Sequence, residues 1–129
     1  MIVADSSAWI DGLRRSGTPT AERLDRLLGQ GRLLLGDLIL CEVLRGARDE
    51  AHAVRMREKL SALPVIEMAG ETVASQAAFN YRLLRRLGVT VHGTVDLLIG
   101  TFCIVNGHQL LHNDRDFRPM VEHLGLVEA

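Results

Sequence analysis

Four carboxylates sit at the edges of apolar runs, where a soluble domain has no packing reason to put them. Asp5 follows Ile2-Val3-Ala4, and Glu42 lies inside Leu38-Ile39-Leu40-Cys41-Glu42-Val43-Leu44. Asp96 heads Leu97-Leu98-Ile99, and Asp114 comes two residues after Leu110-Leu111-His112. An acid drawn into a half-buried position must be hydrogen-bonded, paired with a cation or bound to a metal ion. A set of carboxylate oxygens suits a hard divalent cation such as Mg2+. Carboxylates gathered around such a cation are the equipment of a magnesium-dependent phosphodiesterase.

Each acid also has a plainer role open to it. Asp5 could cap the helix that follows, although Ser6 and Ser7 are equally able to do so. Asp96 could be a first-turn acid favoured by the helix dipole, worth about 0.3–1 kcal/mol. Glu42 could pair along its helix with Arg45 or Arg48, for about 0.2–0.5 kcal/mol. Asp114 and Asp116 both fit turn or capping positions; Asp114 is the better site candidate and Asp116 a helper to it.

Other chemistries fit poorly. His108 and His112 are four apart, but the spacing runs into a strand rather than along a helix, and His52, His92 and His123 belong to no motif. Zinc is therefore not expected. No Gly-x-x-x-x-Gly-Lys loop is present to cradle a nucleotide phosphate. Asp5-Ser6-Ser7 lacks the second aspartate, two residues on, that an aspartyl-phosphate phosphatase would use as its acid–base.

The elements that must position these acids alternate between strand and helix. Residues 2–4 read as a strand, with a helix over about 8–13. Thr18-Pro19 starts a second helix, with its apolar face at Leu24, Leu27 and Leu28. A second strand covers 32–35, and Asp37 is placed to cap the helix that carries Glu42. Asp49 caps a helix over about 50–62, and 63–66 is an edge strand because of Pro64. Long helices follow over 70–87 and 95–106, then a strand over 109–112, a short helix over 114–121 and a last strand at 125–127. This alternation predicts an α/β fold: a central parallel sheet of four or five strands with helices on both faces. In such folds ligands collect beyond the carboxyl ends of the strands. All four acids are expected on that rim.

The chain has 129 residues, which is enough for one domain with a core, so 1–129 is expected to be a single domain. Its net charge of −1 does not advertise nucleic-acid binding, yet bound divalent cations would turn that balance positive. Fourteen of its fifteen basic residues are arginine, whose planar fork suits phosphate, although a GC-rich genome also raises arginine use. Arg82, Arg85 and Arg86 share a helix face, either as solvated surface or as a basic approach to the rim. Cys41 and Cys103 lie in apolar runs without metal-ligand spacing and read as small core residues in a reducing compartment. With no membrane span and no signal peptide in view, the expected location is the cytoplasm.

Four segments, in order, resemble the motifs of the VapC-type toxin ribonucleases, PIN-domain proteins of VapBC toxin–antitoxin systems. They are Ile2-Val3-Ala4-Asp5-Ser6-Ser7-Ala8-Trp9-Ile10, Glu42-Val43-Leu44-Arg45-Gly46, Thr94-Val95-Asp96-Leu97-Leu98-Ile99, and Leu110-Leu111-His112-Asn113-Asp114-Arg115-Asp116-Phe117. The resemblance covers essentially the whole chain and implies a three-layer PIN-domain-like fold. It implies metal ligation and catalysis by Asp5, Glu42, Asp96 and Asp114, with Ser6, Ser7 and Asp116 orienting a ligand, water or phosphate. The implied activity is Mg2+-dependent endoribonuclease cleavage, with Mn2+ as substitute, leaving a 5′-phosphate and a 3′-hydroxyl. The implied partners are RNA, a cognate antitoxin and a second copy of the chain within a larger complex. His92-Gly93 departs from the family where many relatives carry a basic residue. Two alternatives stay open: a PIN-type nuclease acting on DNA or in RNA processing outside any toxin system, and a degenerate PIN module that only binds a partner.

Overall fold

The computed structural model describes every residue from Met1 to Ala129. Its strands are β1 (Ile2–Ala4), β2 (Leu33–Gly36), β3 (Val65–Ile66), β4 (Gln109–Leu111) and β5 (Val127–Glu128). They form one parallel sheet in the order β3-β2-β1-β4-β5. Its helices are α1 (Ser6–Leu13), α2 (Pro19–Leu28), α3 (Asp37–Arg45), α4 (Glu50–Lys59), α5 (Glu71–Arg86), α6 (Thr94–Asn106) and α7 (Arg118–Leu124). A 3-10 turn over Arg115–Phe117 precedes α7.

β1 lies at the centre because it can be buried on both faces. Ile2, Val3 and Ala4 are all fully buried, as a strand between two helical layers must be. Ile2 is in register with Leu33 on one side and Gln109 on the other. On one flank α1 packs against α2 and α3, and α3 against α4; on the other, α5 packs against α6 and α7. One hydrophobic cluster runs through both layers, with Ile39 and Val43 of α3 and Ile99 and Cys103 of α6 fully buried in it. Gly107, with φ of +68°, ends α6 in the left-handed conformation and turns the chain into β4. Gly100 lets the Met120 side chain of α7 lie directly on α6, where any Cβ would collide with its sulfur.

The expected architecture is present, and several local expectations need correction. Asp5 is the N-cap of α1, and neither Ser6 nor Ser7 is, because the helix starts at Ser6 itself. Gly36 rather than Asp37 occupies the N-cap position of α3; the Asp37 carboxylate instead accepts from Leu38 N at 2.8 Å and from Met68 N at 3.1 Å. The expected helix over 114–121 divides into the 3-10 turn and α7, with Pro119 in the first turn of the latter. Cys103 is buried as expected, but Cys41 is exposed, because Ile39 and Val43 define the buried face of α3 and position 41 points away from it.

Candidate metal centre

The carboxyl end of β1 delivers Asp5, and the chain turns there directly into α1. Its Oδ2 accepts the Ser7 amide at 3.1 Å and the Ser7 hydroxyl at 2.6 Å, so the capping bond also fixes the carboxylate. Its Oδ1 is buried and has no hydrogen-bond partner. Asp5 is only 2% exposed, so that free oxygen is an uncompensated acceptor. Burial pushes the Asp5 pKa up, against the Ser7 hydrogen bonds, and the charge on Asp114 adds to the rise.

Three more elements bring acids to the same place. Glu42 stands in the second turn of α3, where Ser6 Oγ donates to its Oε1 at 3.2 Å and stitches α1 to α3. Burial raises the Glu42 pKa and the Asp5 charge raises it further. Asp96 is in the first turn of α6, a helix that lacks a side-chain cap, so its carboxylate is left available. Burial, with repulsion from Asp5, Glu42, Asp114 and Asp116 in that order, pushes the Asp96 pKa up to about 7. A Cβ at Gly93 would lie 3.1 Å from Asp96 Oδ2, so the absence of a side chain there keeps space open beside that oxygen. Asp114 leaves the end of β4 and caps the 3-10 turn, its Oδ1 accepting Asp116 N at 2.9 Å.

Carboxylate oxygens of Asp5, Glu42 and Asp96 lie within 4.8 Å of one another, and so do those of Asp96, Asp114 and Asp116. Asp96 belongs to both groups. No salt bridge reaches them, although the Arg45 charge partly offsets Glu42. The molecule's close charge contacts are His112–Glu128 at 3.8 Å and His123–Glu122 at 3.9 Å, each an ion pair only with its histidine protonated. Half-buried like charges this close destabilise one another, and a divalent cation between them removes that repulsion. Hard oxygen donors, a buried unpartnered Oδ1 and the lack of a salt-bridge partner for any of these acids together fit a divalent metal ion.

The four acids singled out in the sequence therefore meet on one rim. Asp116 comes nearer than its helper role required, sharing an ion-sized space with Asp96 and Asp114. Ser6 and Ser7 touch the cluster through Glu42 and Asp5. Arg82, Arg85 and Arg86 are all exposed on α5 and pair with no acid; Arg85 instead donates to the Tyr81 hydroxyl at 3.3 Å. The basic feature that the sequence did not display is a cleft of about 440 Å³ over α1, α3 and α4. It is floored by Ile10, Leu13, Val43 and Met56 and edged by Arg14, Arg48, Arg55 and Lys59. Ile10 is one helical turn beyond Ser6, and Gly46 of the cleft one turn beyond Glu42, so the cleft continues from the acidic rim.

Known proteins share this arrangement of sequence and fold. The family model described as PIN domain matches residues 2–121. Ribonuclease VapC11 of Mycobacterium tuberculosis is 33% identical over 131 residues, spanning 100% of this chain and 98% of the relative. Among solved structures, VapBC2 from Rickettsia felis superposes with a TM-score of 0.79 at 16% identity, over 100% of this chain and 98% of that one. VapBC-1 from nontypeable Haemophilus influenzae gives 0.74 at 20% identity, over 100% and 97%. Together these matches make the chain a member of the PIN-domain family, among its VapC ribonucleases.

Proposed function

We propose that residues 1–129 act as one PIN-like nuclease domain, the toxin of a type II toxin–antitoxin pair, hydrolysing RNA phosphodiester bonds internally with Mg2+. The observation that carries this is the pair of acidic groups joined at Asp96, with the buried Oδ1 of Asp5 left without a partner. The ribonuclease activity for which the mycobacterial relative is named supports RNA as substrate. Asp5, Glu42, Asp96 and Asp114 are the metal-holding residues, and Mn2+ is the expected substitute for Mg2+. A divalent cation held by these residues would supply Lewis-acid chemistry, activating a water as nucleophile and offsetting negative charge on the phosphodiester. Ser7 holds the Asp5 carboxylate, Ser6 holds Glu42, and Asp116 stands ready to orient water or phosphate beside Asp114.

The VapBC assemblies among the structural neighbours support a cognate antitoxin that blocks the acidic rim, and a homodimer within a larger complex. The adjoining cleft, apolar below and basic at its edges, supports the seating of an acidic amphipathic antitoxin segment. No helix is long and apolar enough to cross a membrane, and the cytoplasm is the proposed location. Purified protein should cut RNA with Mg2+ or Mn2+, stop on chelation and leave 5′-phosphate ends. Its expression alone in a bacterium should arrest growth. Soluble protein that neither cuts RNA with added metal nor slows growth would overturn the proposal.

A further inference from the structure

Asn113 sits at the bend between β4 and Asp114, and two of its donors reach back to α1. Its backbone N–H donates to Ser7 Oγ at 3.0 Å, and its Nδ2 donates to Asp11 Oδ2 at 2.8 Å. Ser7 and Asp11 are four residues apart on α1, hence on one face a turn apart, so a single residue can bridge both. The same Ser7 hydroxyl donates to Asp5 Oδ2 at 2.6 Å. The same Asp11 oxygen accepts from Thr18 Oγ1 at 3.2 Å, at the N-cap of α2.

Asp11 thus differs from the other acids near the rim. It joins neither ion-sized acidic group and makes no ion pair. Its carboxylate is instead occupied by two neutral donors from two other segments. Asp5, Glu42 and Asp96 are held by regular elements: the end of β1, α3 and α6. Asp114 and Asp116 hang on the irregular segment after β4, and Asn113 is the residue that fastens this segment to α1.

We propose that Asp11 is a positioning residue for the acidic centre, fixing through Asn113 the segment that carries Asp114 and Asp116 against α1 and Asp5. This rests on the nuclease reading above. Without the Asp11 carboxylate, Asn113 keeps only its backbone bond to Ser7, and the segment carrying Asp114 and Asp116 loses one of its two hydrogen bonds to α1. Groups that orient metal ligands without touching the metal typically cost 10–100-fold in metal affinity or activity when removed.

The test compares Asp11→Ala, Asp11→Asn, Asn113→Ala and the Asp11→Ala/Asn113→Ala double variant with wild type. Mn2+ affinity is read by calorimetry, kcat and KM by RNA cleavage, and folding by Tm. Asp11→Ala should lower Mn2+ affinity and kcat by about tenfold or more, with little change in KM for RNA. Asp11→Asn, whose amide oxygen still accepts from Asn113, should keep most of both. The double variant should be no worse than the worse single one, because both substitutions break one link. As a destabilised control, Asp49→Ala removes the cap of α4 and should lower Tm while leaving Mn2+ affinity and kcat unchanged. Wild-type Mn2+ affinity and kcat in Asp11→Ala, or losses that simply add in the double variant, would overturn the proposal. If Asp11→Ala does not fold, exposed Asn113→Ala carries the same expectation and the same contrary result. A wild-type chain that cuts no RNA sinks the nuclease reading instead, and Mn2+ affinity then remains the readout for Asp11.

Discussion

Asp5 and Asp37 follow adjacent parallel strands, at the same edge of one sheet, yet they are built for opposite ends. The Asp37 Oδ1 accepts two backbone amides, Leu38 N and Met68 N, and so ties the start of α3 to the segment after β3. It joins neither acidic group. Asp5 has one oxygen held by Ser7 and the other buried with no donor, and it faces Glu42, Asp96 and Asp114. A strand-end aspartate is therefore not a site by position. What separates the two is an oxygen left unsatisfied among like charges, a condition that a bound cation or a proton relieves.

The strongest way to break this contrast is to exchange the roles. Asp5→Asn and Asp96→Asn should each lower metal-dependent RNA cleavage by at least about 100-fold, more than loss of a supporting residue would. Asp37→Ala should retain full cleavage well below its Tm. Comparable loss of activity in Asp37→Ala would erase the distinction. Stability should show the reverse order: denaturant unfolding of Asp37→Ala should reveal a loss of about 1–3 kcal/mol as two amides lose their acceptor. Asp96→Asn, which relieves repulsion, should leave the metal-free protein as stable as wild type or more so.

A pH series sharpens the same comparison. In metal-free protein the Asp96 pKa stands at about 7, above its ordinary value of 3.8, and the Asp5 and Glu42 pKa values are also raised. Between those limits the folded state binds protons that the unfolded state has released. For Asp96 the stability so supplied is complete below the ordinary value and disappears as pH rises through about 7, and Asp5 and Glu42 act in the same direction. Tm of the metal-free protein should therefore fall from pH 5 to pH 8, and saturating Mn2+ should raise Tm more at pH 8 than at pH 5. Asp96→Asn should flatten the slope, whereas Asp37→Ala should lower the whole curve and keep its shape. The smallest effect belongs to Gly93→Ala, whose new methyl group would lie 3.1 Å from Asp96 Oδ2. Calorimetry should show Mn2+ affinity weakened, by less than in Asp5→Asn, with no matching loss of Tm.

Much of this was legible in the chain because the signals were local. The run Ile2-Val3-Ala4, buried on both faces, announces a central strand, and Thr18-Pro19 marks the start of α2 through a side-chain cap and a fixed φ. Acids interrupting apolar runs at 5, 42, 96 and 114 pointed to one rim because parallel strands share a carboxyl end. What stayed hidden depends on tertiary placement. Arg82, Arg85 and Arg86 are visible as a stripe because one helix carries them, yet the lined basic cleft joins Arg14, at the end of α1, to Arg48, Arg55 and Lys59 on and just before α4, much later in the chain. Cys41 looks buried in its apolar run until Ile39 and Val43 fix which face of α3 turns inward. The bond from Asn113 to Asp11 spans 102 residues, and no spacing rule reaches that far.

The most direct measurement of the central claim is Mn2+ titration by calorimetry of wild type, Asp5→Asn and Asp37→Ala under one set of conditions at pH 8. Saturable binding to wild type and Asp37→Ala with equal affinity, and its loss in Asp5→Asn, is the result predicted for a rim built to hold a divalent cation. Absence of binding to folded wild type, or equal binding to all three proteins, would contradict it.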